Sequence, residues 1–98
     1  MVVVGIHGGA DEWTGTDPIL DPVARDLARW GADIVWGHGA HVVQPVLLVG
    51  VQPTIAATSL GNFLFDQSGP DRTQGAMLEV LAGRDGVVAY RVGMTEHA

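Results

Sequence analysis

The sequence predicts an α/β fold, in which two parallel strands flank a helix and antiparallel strands follow. Three observations favour this fold. Residues 2–6 and 33–36 are short apolar runs of the kind that form buried strands. The segment between them has helical spacing, and the β-type runs of the second half are separated by glycine-containing turns. Of the 98 residues, 47% are hydrophobic, which is enough for one core.

The first half of the chain predicts a strand, a long loop and a short helix. Residues 2–6 form the strand, and residues 10–18 form a polar loop rich in glycine, threonine and aspartate. Asp21 is suited to cap a helix whose first residue is Pro22, and Gly31 is suited to end it. The apolar face of this helix carries side chains at positions i, i+4 and i+7, namely Val23, Leu27 and Trp30.

Residues 33–36 form a second strand, so the opening of the chain has the order β-loop-α-β, which is typical of a parallel strand pair. Short β-type runs follow at residues 45–51, 53–58, 76–82 and 87–92. Asp85 and Gly86, between the last two runs, are a strong signal for a β-hairpin. We therefore expect antiparallel pairing in the second half.

Composition excludes several classes of protein. The formal net charge is −6 with only five Lys and Arg, which argues against a nucleic-acid partner. The absence of cysteine excludes a thiolate metal site. No apolar run has the roughly eighteen residues of a membrane span, so we expect no membrane segment in this chain. The buried type of strand at residues 2–6 follows Met1 without a turn, which suggests that residues 1–98 are the C-terminal piece of a larger domain.

Three histidines are the strongest functional signal. His7 ends the first strand, and His38 and His41 follow the second strand in a glycine-rich segment. Ligands bind beyond the carboxyl ends of parallel strands, so the topology would bring these imidazoles together. With Asp11 and Glu12 they offer nitrogen and oxygen ligands suited to Zn, Mn or Fe. The alternative is that each histidine is a hydrogen-bonded turn residue.

Other candidate site residues lie near this edge of the sheet. Gly8 and Gly9 allow close approach of a substrate, and Trp13 is a plausible substrate wall. In residues 59–66, Asn62 and Asp66 are candidates to orient a histidine or water, although a structural bulge that packs Phe63 and Phe65 into the core is the preferred interpretation. We expect the remaining tryptophans to be packing residues, namely Trp30 and Trp36.

Three ordered segments resemble one family. His-Gly-Gly-Ala-Asp at residues 7–11, the stretch at residues 31–44 and Ser-Leu-Gly-Asn-Phe-Leu-Phe-Asp at residues 59–66 are similar to motifs of the CapA-like bacterial capsule and poly-gamma-glutamate synthesis proteins. That family resembles a branch of the calcineurin-type metallophosphoesterases. The chain departs from its pattern at three positions, because tryptophan, glutamate and proline are usual where it has Gly8, Asp11 and Ala40.

The resemblance implies the C-terminal half of a metallophosphoesterase-type layered α/β sandwich, with two divalent metals (Mn, Zn or Fe) in the complete domain. His7, His38 and His41 would be metal ligands. His38 and Asp11 would be the catalytic residues, with a histidine protonating the leaving oxygen and Asp11 orienting His7 or solvent. The substrate would be a phosphoester or an anionic polymer, and the location the cell envelope.

The resemblance also implies a missing N-terminal half, which would supply the remaining ligands and act as a partner of this chain. Two alternatives to an active centre remain open. The chain could be a non-catalytic module that binds an anionic polymer during envelope biosynthesis. It could also be an inactive truncated remnant.

Overall fold

The computed structural model describes residues 1–61 and 74–96 of the chain. Its elements follow in the order β1 (Val3–His7), α1 (Leu20–Arg29), β2 (Ile34–His38), β3 (Val46–Val49), β4 (Thr54–Ala57), β5 (Gln74–Gly83) and β6 (Gly86–Glu96). Each of these elements was expected from the sequence, with boundaries that shift by a few residues. The structure therefore confirms a small mixed α/β fold.

Four strands form one sheet in the order β1-β2-β4-β3. β1 and β4 both pair in parallel with β2, whereas β3 pairs antiparallel with β4. The expected β-loop-α-β unit is thus present, and α1 is the crossover between β1 and β2. Because β1, β2 and β4 run in the same direction, their carboxyl ends lie at one edge of the sheet.

The helix begins at Leu20, two residues before the expected first residue, Pro22. Asp17, not Asp21, caps it: Oδ1 of Asp17 accepts hydrogen bonds from the backbone N–H groups of Ile19 and Leu20 at 2.9 and 3.0 Å. The other end agrees with the expectation, since Gly31 has φ 104 and its N–H donates to Ala28. The N–H of the next residue donates to Leu27, which completes a Schellman motif.

The buried side of α1 is offset from the predicted one. Leu20 and Ala24 are buried and Leu27 is partly buried, whereas Val23 is 40% and Trp30 is 77% exposed. The three buried or partly buried side chains are spaced at i, i+4 and i+7, one helical turn ahead of the predicted apolar set. The face meets the sheet at a small core of Ala24, Ala32, Val35 and Ala56, with partly buried Val4, Ile6, Leu27, Leu47 and Val49 around it.

The last two strands form a separate antiparallel hairpin, as the Asp85 and Gly86 signal predicted. Gly83 pairs with Gly86, so Arg84 and Asp85 are the residues of the turn. Near its base, the N–H of Ala76 donates to the carbonyl of Leu60 at 2.7 Å, which connects the hairpin to the segment after β4. Among the described residues, no helix has the length and apolarity needed to cross a bilayer.

Candidate functional site

His7 and His38 meet at the carboxyl edge of the sheet. They are the last residues of β1 and β2, and the parallel register pairs them directly. Their Nδ1 atoms are 2.8 Å apart, and their ring centroids are 4.6 Å apart with the planes tilted by 50°. Both side chains are exposed, so the pair is accessible to a ligand from solvent.

The Nδ1 contact constrains the protonation of the pair. A hydrogen bond between two ring nitrogens needs a proton on one and a lone pair on the other. When both rings are neutral, one histidine therefore carries its proton on Nδ1 and the other carries it on Nε2. The histidine that donates through Nδ1 keeps a lone pair on Nε2, which can accept a proton or bind a cation.

A tryptophan flanks the pair on the same face of the sheet. Trp36 lies two residues before His38 in β2, and the two rings stack with centroids 5.2 Å apart and an angle of 29° between planes. Gly5 is the residue opposite Trp36 in β1. A Cβ at Gly5 would be 3.2 Å from Cε2 and Nε1 of the indole, so the missing side chain provides room for the ring.

The loops after the two strands are in backbone contact. The N–H of Gly8 donates to the carbonyl of His38 at 2.9 Å, and the N–H of Glu12 donates to the carbonyl of Ala40 at 2.7 Å. Gly39 has φ 127, and a Cβ there would lie 2.8 Å from the carbonyl oxygen of Gly8. Only glycine satisfies both the conformation and the spacing at that position.

Two other residues of these loops have left-handed backbone conformations. Glu12 has φ 56 and His41 has φ 66. Such values are uncommon outside glycine and concentrate at functional sites, where the surrounding structure maintains the strain. The strain lies within a few residues of the histidine pair along both loops.

A buried carboxylate anchors the loop that follows β1. Oδ2 of Asp17 accepts hydrogen bonds from the N–H of Ala10 at 2.9 Å and from Nε2 of Gln44 at 2.7 Å. The same Gln44 nitrogen donates to the carbonyl of Trp13, and its Oε1 accepts from the hydroxyl of Thr58 at 2.8 Å. These bonds connect the loop, the start of α1 and the end of β4.

Burial and hydrogen bonding act on Asp17 in opposite directions. Burial raises the pKa of this carboxyl, but hydrogen bonds from Leu20, Gln44, Ala10 and Ile19 together outweigh it and hold the pKa below its ordinary value of 3.8. Asp17 is therefore a charged, fully paired anchor. The sequence signal for it was the Asp-Pro pair at residues 17–18, which is identical to the pair at residues 21–22.

The other candidate site residues differ in their exposure to solvent. His41 is half-buried, Asp11 is exposed in the turn after β1, and Gly8 and Gly9 are partly buried. Trp13 is 53% exposed, and its indole N–H donates to the carbonyl of Thr16 at 3.0 Å. Two further candidates lie outside the described residues, namely Asn62 and Asp66.

The structure brings together two of the three predicted metal ligands. Within residues 1–61 and 74–96, no group of three or more histidine or carboxylate side chains is arranged to hold a metal ion. His41 therefore does not complete a ligand set with His7 and His38 in this conformation. The assignment of these three residues as metal ligands stays a prediction.

The pair itself is a near fit for a cation. Two imidazole nitrogens that bind one tetrahedral zinc ion at about 2.0–2.1 Å are about 3.3 Å apart. The Nδ1 atoms of His7 and His38 are 2.8 Å apart, so both would bind one ion after separating by about half an ångström. Small rotations of two exposed rings can provide that separation. The described part of the chain thus offers two ligands, with the rest of the coordination left to water or other groups.

Comparison with known proteins identifies related sequences. The family model for the bacterial capsule synthesis protein PGA_cap matches residues 1–67. The chain is 30% identical over 92 residues to the PGA biosynthesis protein CapA of Bacillus subtilis (strain 168), a match that covers 94% of this chain and 24% of that protein. It is 36% identical over 85 residues to the capsule biosynthesis protein CapA of Bacillus anthracis, covering 87% of this chain and 20% of that protein. No solved structure matches the chain significantly.

Proposed function

Because this chain belongs to the bacterial capsule synthesis family PGA_cap, we propose that it acts in the biosynthesis of an anionic capsule polymer as part of a metal-dependent phosphoesterase-type centre. The chain spans about a quarter or less of the length of its curated relatives, at 24% and 20%. The centre is therefore proposed as one portion of a larger layered α/β sandwich at the cell envelope.

The contact between His7 and His38 is the observation that carries this proposal. Two exposed imidazoles at the carboxyl edge of a parallel sheet, with Nδ1 atoms 2.8 Å apart, provide two nitrogen ligands in the place where such sheets bind ligands. A divalent ion bound there would polarise a phosphoryl oxygen and lower the pKa of a bound water. Gly8 and Gly9 would leave room for the substrate, and Asp11 would orient solvent or His7.

The charge of the chain favours this centre over simple polymer binding. With a formal net charge of −6 and only five Lys and Arg, the surface offers few cations to attract a polyanion. A metal ion held by the histidine pair would supply the missing positive charge. Metal binding is therefore the first property to measure.

Metal binding by the purified chain tests the centre directly. We expect zinc or manganese to bind with a stoichiometry near one per chain in isothermal titration calorimetry. His7→Ala and His38→Ala should each weaken that affinity at least tenfold, because each removes one of two protein ligands. His97→Ala, a change of the same kind at a histidine outside the proposal, should leave it unchanged. Equal affinity in all four proteins would contradict the centre.

A chimera tests the biological role. The matched region of Bacillus subtilis CapA is replaced by this chain, and the secreted polymer of the resulting strain is measured. We expect the chimera to restore polymer, and the same chimera with His7→Ala or His38→Ala to lose it. Polymer restored by the histidine variants as well would favour the non-catalytic module. A chimera that accumulates as folded protein without restoring polymer would favour the inactive remnant.

A further inference from the structure

We infer that Trp36 is a positioning residue for the histidine pair: its indole holds the imidazole of His38 in the orientation that turns Nδ1 toward His7. The inference deepens the proposed function, on which its relevance to metal binding rests. The contact itself is independent of any metal.

The imidazole of His38 contacts two other rings. Trp36 stacks on it at a centroid distance of 5.2 Å and an angle of 29°, and His7 contacts it at 4.6 Å with a tilt of 50°. Stacking at these distances is the arrangement that aromatic pairs prefer. An exposed imidazole without such neighbours samples several rotamers, and only some of them direct Nδ1 toward the partner ring. The indole therefore reduces the freedom of the side chain that the Nδ1 contact requires to be ordered.

The strand pairing determines where the indole lies. Gly5 is opposite Trp36 in the parallel register, and its missing side chain leaves the space that the ring occupies, at 3.2 Å from an ideal Cβ position. Any larger residue at this position would displace the indole. One glycine in β1 and one tryptophan in β2 thus define where the indole lies beside His38.

Burial argues against a role for Trp36 in the core alone. The residue is 42% exposed, and it is absent from the cluster that packs beneath α1. A large apolar ring that remains exposed while stacking on a candidate ligand is better explained by what it does for that ligand. The sequence interpretation of Trp36 as a packing residue is thereby refined.

The first test uses metal-free protein, so that it does not depend on the metal centre. Long-range nitrogen–proton NMR spectra at one fixed alkaline pH report which ring nitrogen of His7 and His38 carries the proton. We expect one fixed tautomer per ring in the unaltered chain, averaged tautomers in Trp36→Leu, and largely fixed tautomers in Trp36→Phe, which keeps an aromatic ring. Trp30→Leu, at the exposed tryptophan that directly follows α1, should match the unaltered chain.

A second variant displaces the indole without removing it. Gly5→Val fills the space under the ring and suits a strand, so the protein should fold and the tautomers should average as in Trp36→Leu. In zinc titrations, Trp36→Leu and Gly5→Val should each weaken binding about three- to tenfold, and Trp36→Phe should recover most of the loss.

The outcomes separate this inference from the proposed function. Fixed tautomers and unchanged zinc affinity in Trp36→Leu and Gly5→Val would overturn the positioning role while leaving the metal centre intact. An unaltered chain that binds no zinc, yet shows averaged tautomers only in these two variants, would contradict the centre and support the positioning role.

Discussion

The contact between His7 and His38 depends on one register. In a parallel pair, a slip by one residue would move every side chain of β1 to the other face of the sheet. His7 would then point toward the side covered by α1, and His38 would lose its partner. Close backbone packing of the two following loops, through Gly8 and Gly39, maintains the register at the end where it matters for the site.

Replacing Gly39 by alanine should therefore damage both stability and the site. The new Cβ would lie 2.8 Å from the carbonyl oxygen and 3.0 Å from the nitrogen of Gly8, in a backbone with φ 127. We expect Gly39→Ala to lower the free energy of unfolding in urea by about 3 kcal/mol, from strain and overpacking together.

Gly50→Ala is the matched control, because Gly50 also has a positive φ, of 91, but nothing lies within 4 Å of its Cβ position. Gly50→Ala should lower the free energy of unfolding by only about 1 kcal/mol and leave zinc affinity unchanged. Equal losses in the two variants would show that the contact with Gly8 contributes nothing beyond the conformational strain.

Among the elements, α1 and the loop before it depend on one buried carboxylate. Asp17 is fully buried and receives hydrogen bonds from three backbone N–H groups and from Gln44. It fixes the first turn of the helix and the loop that carries Asp11 and Trp13. Asp17 therefore orders the C-terminal end of this loop, and β1 orders its N-terminal end.

Asp17→Asn should lower the free energy of unfolding by about 2–3 kcal/mol at neutral pH, since hydrogen bonds to a charged group are lost and the new amide NH2 group faces N–H donors instead of an acceptor. Asp26→Asn, which removes only the exposed ion pair with Arg29, should cost less than about 1 kcal/mol. Urea denaturation followed by circular dichroism measures both. A loss in Asp17→Asn no greater than in Asp26→Asn would contradict the anchoring role.

The pH dependence of stability should also show the contribution of the Asp17 carboxyl. Its pKa is lower in the folded chain than the ordinary value of 3.8, so the unfolded chain binds the proton more readily. The stabilisation is complete above that ordinary value and is lost as the pH falls through the folded pKa. We expect Asp17→Asn to flatten the decrease in urea midpoint between neutral pH and about pH 3. If the urea midpoint of Asp17→Asn decreases as steeply as that of the unaltered chain, the decrease comes from other carboxyls.

Elements were predictable from the sequence where the signal was local. Apolar runs gave the strands, Gly31 gave the end of α1, and Asp85 with Gly86 gave the hairpin. The start of α1 was not determined, because two Asp-Pro pairs four residues apart satisfy the same capping rule and only Gln44, distant in the chain, makes one of them the buried anchor.

Only part of the candidate site could be predicted, because local patterns indicate where strands end but not which distant residues come into contact. Strand ends and topology brought His7 to His38. The stacking of Trp36 required the register, since it depends on a glycine in the neighbouring strand. The position of His41 depends on a left-handed backbone that no local pattern indicated.

At the scale of the whole molecule, the described chain consists of a four-stranded sheet with one helix and a long two-stranded hairpin. The strands of the sheet share a core with α1, and Val35, Ile55 and Ala56 are almost completely buried. The hairpin instead exposes large apolar side chains on both strands, among them Met77, Leu81, Val88, Tyr90 and Met94. Isolated two-stranded hairpins are at best marginally stable in water.

We therefore predict that β5 and β6 open at a lower free energy than the sheet. Their pairing is extensive, but the hydrogen bond from Ala76 to Leu60 and the bridge between Gly61 and Gly75 are the described backbone connections at their base. Hydrogen exchange followed by mass spectrometry should show peptides from residues 74–96 exchanging in milder denaturant than peptides from β2 and β4. Ala76→Pro, which removes the donor to Leu60, should accelerate exchange in the hairpin and leave β2 unaffected. If all these peptides exchange together in the unaltered chain, the hairpin and the sheet unfold as one cooperative unit, and the apolar side chains of the hairpin stabilise it more than their exposure indicates.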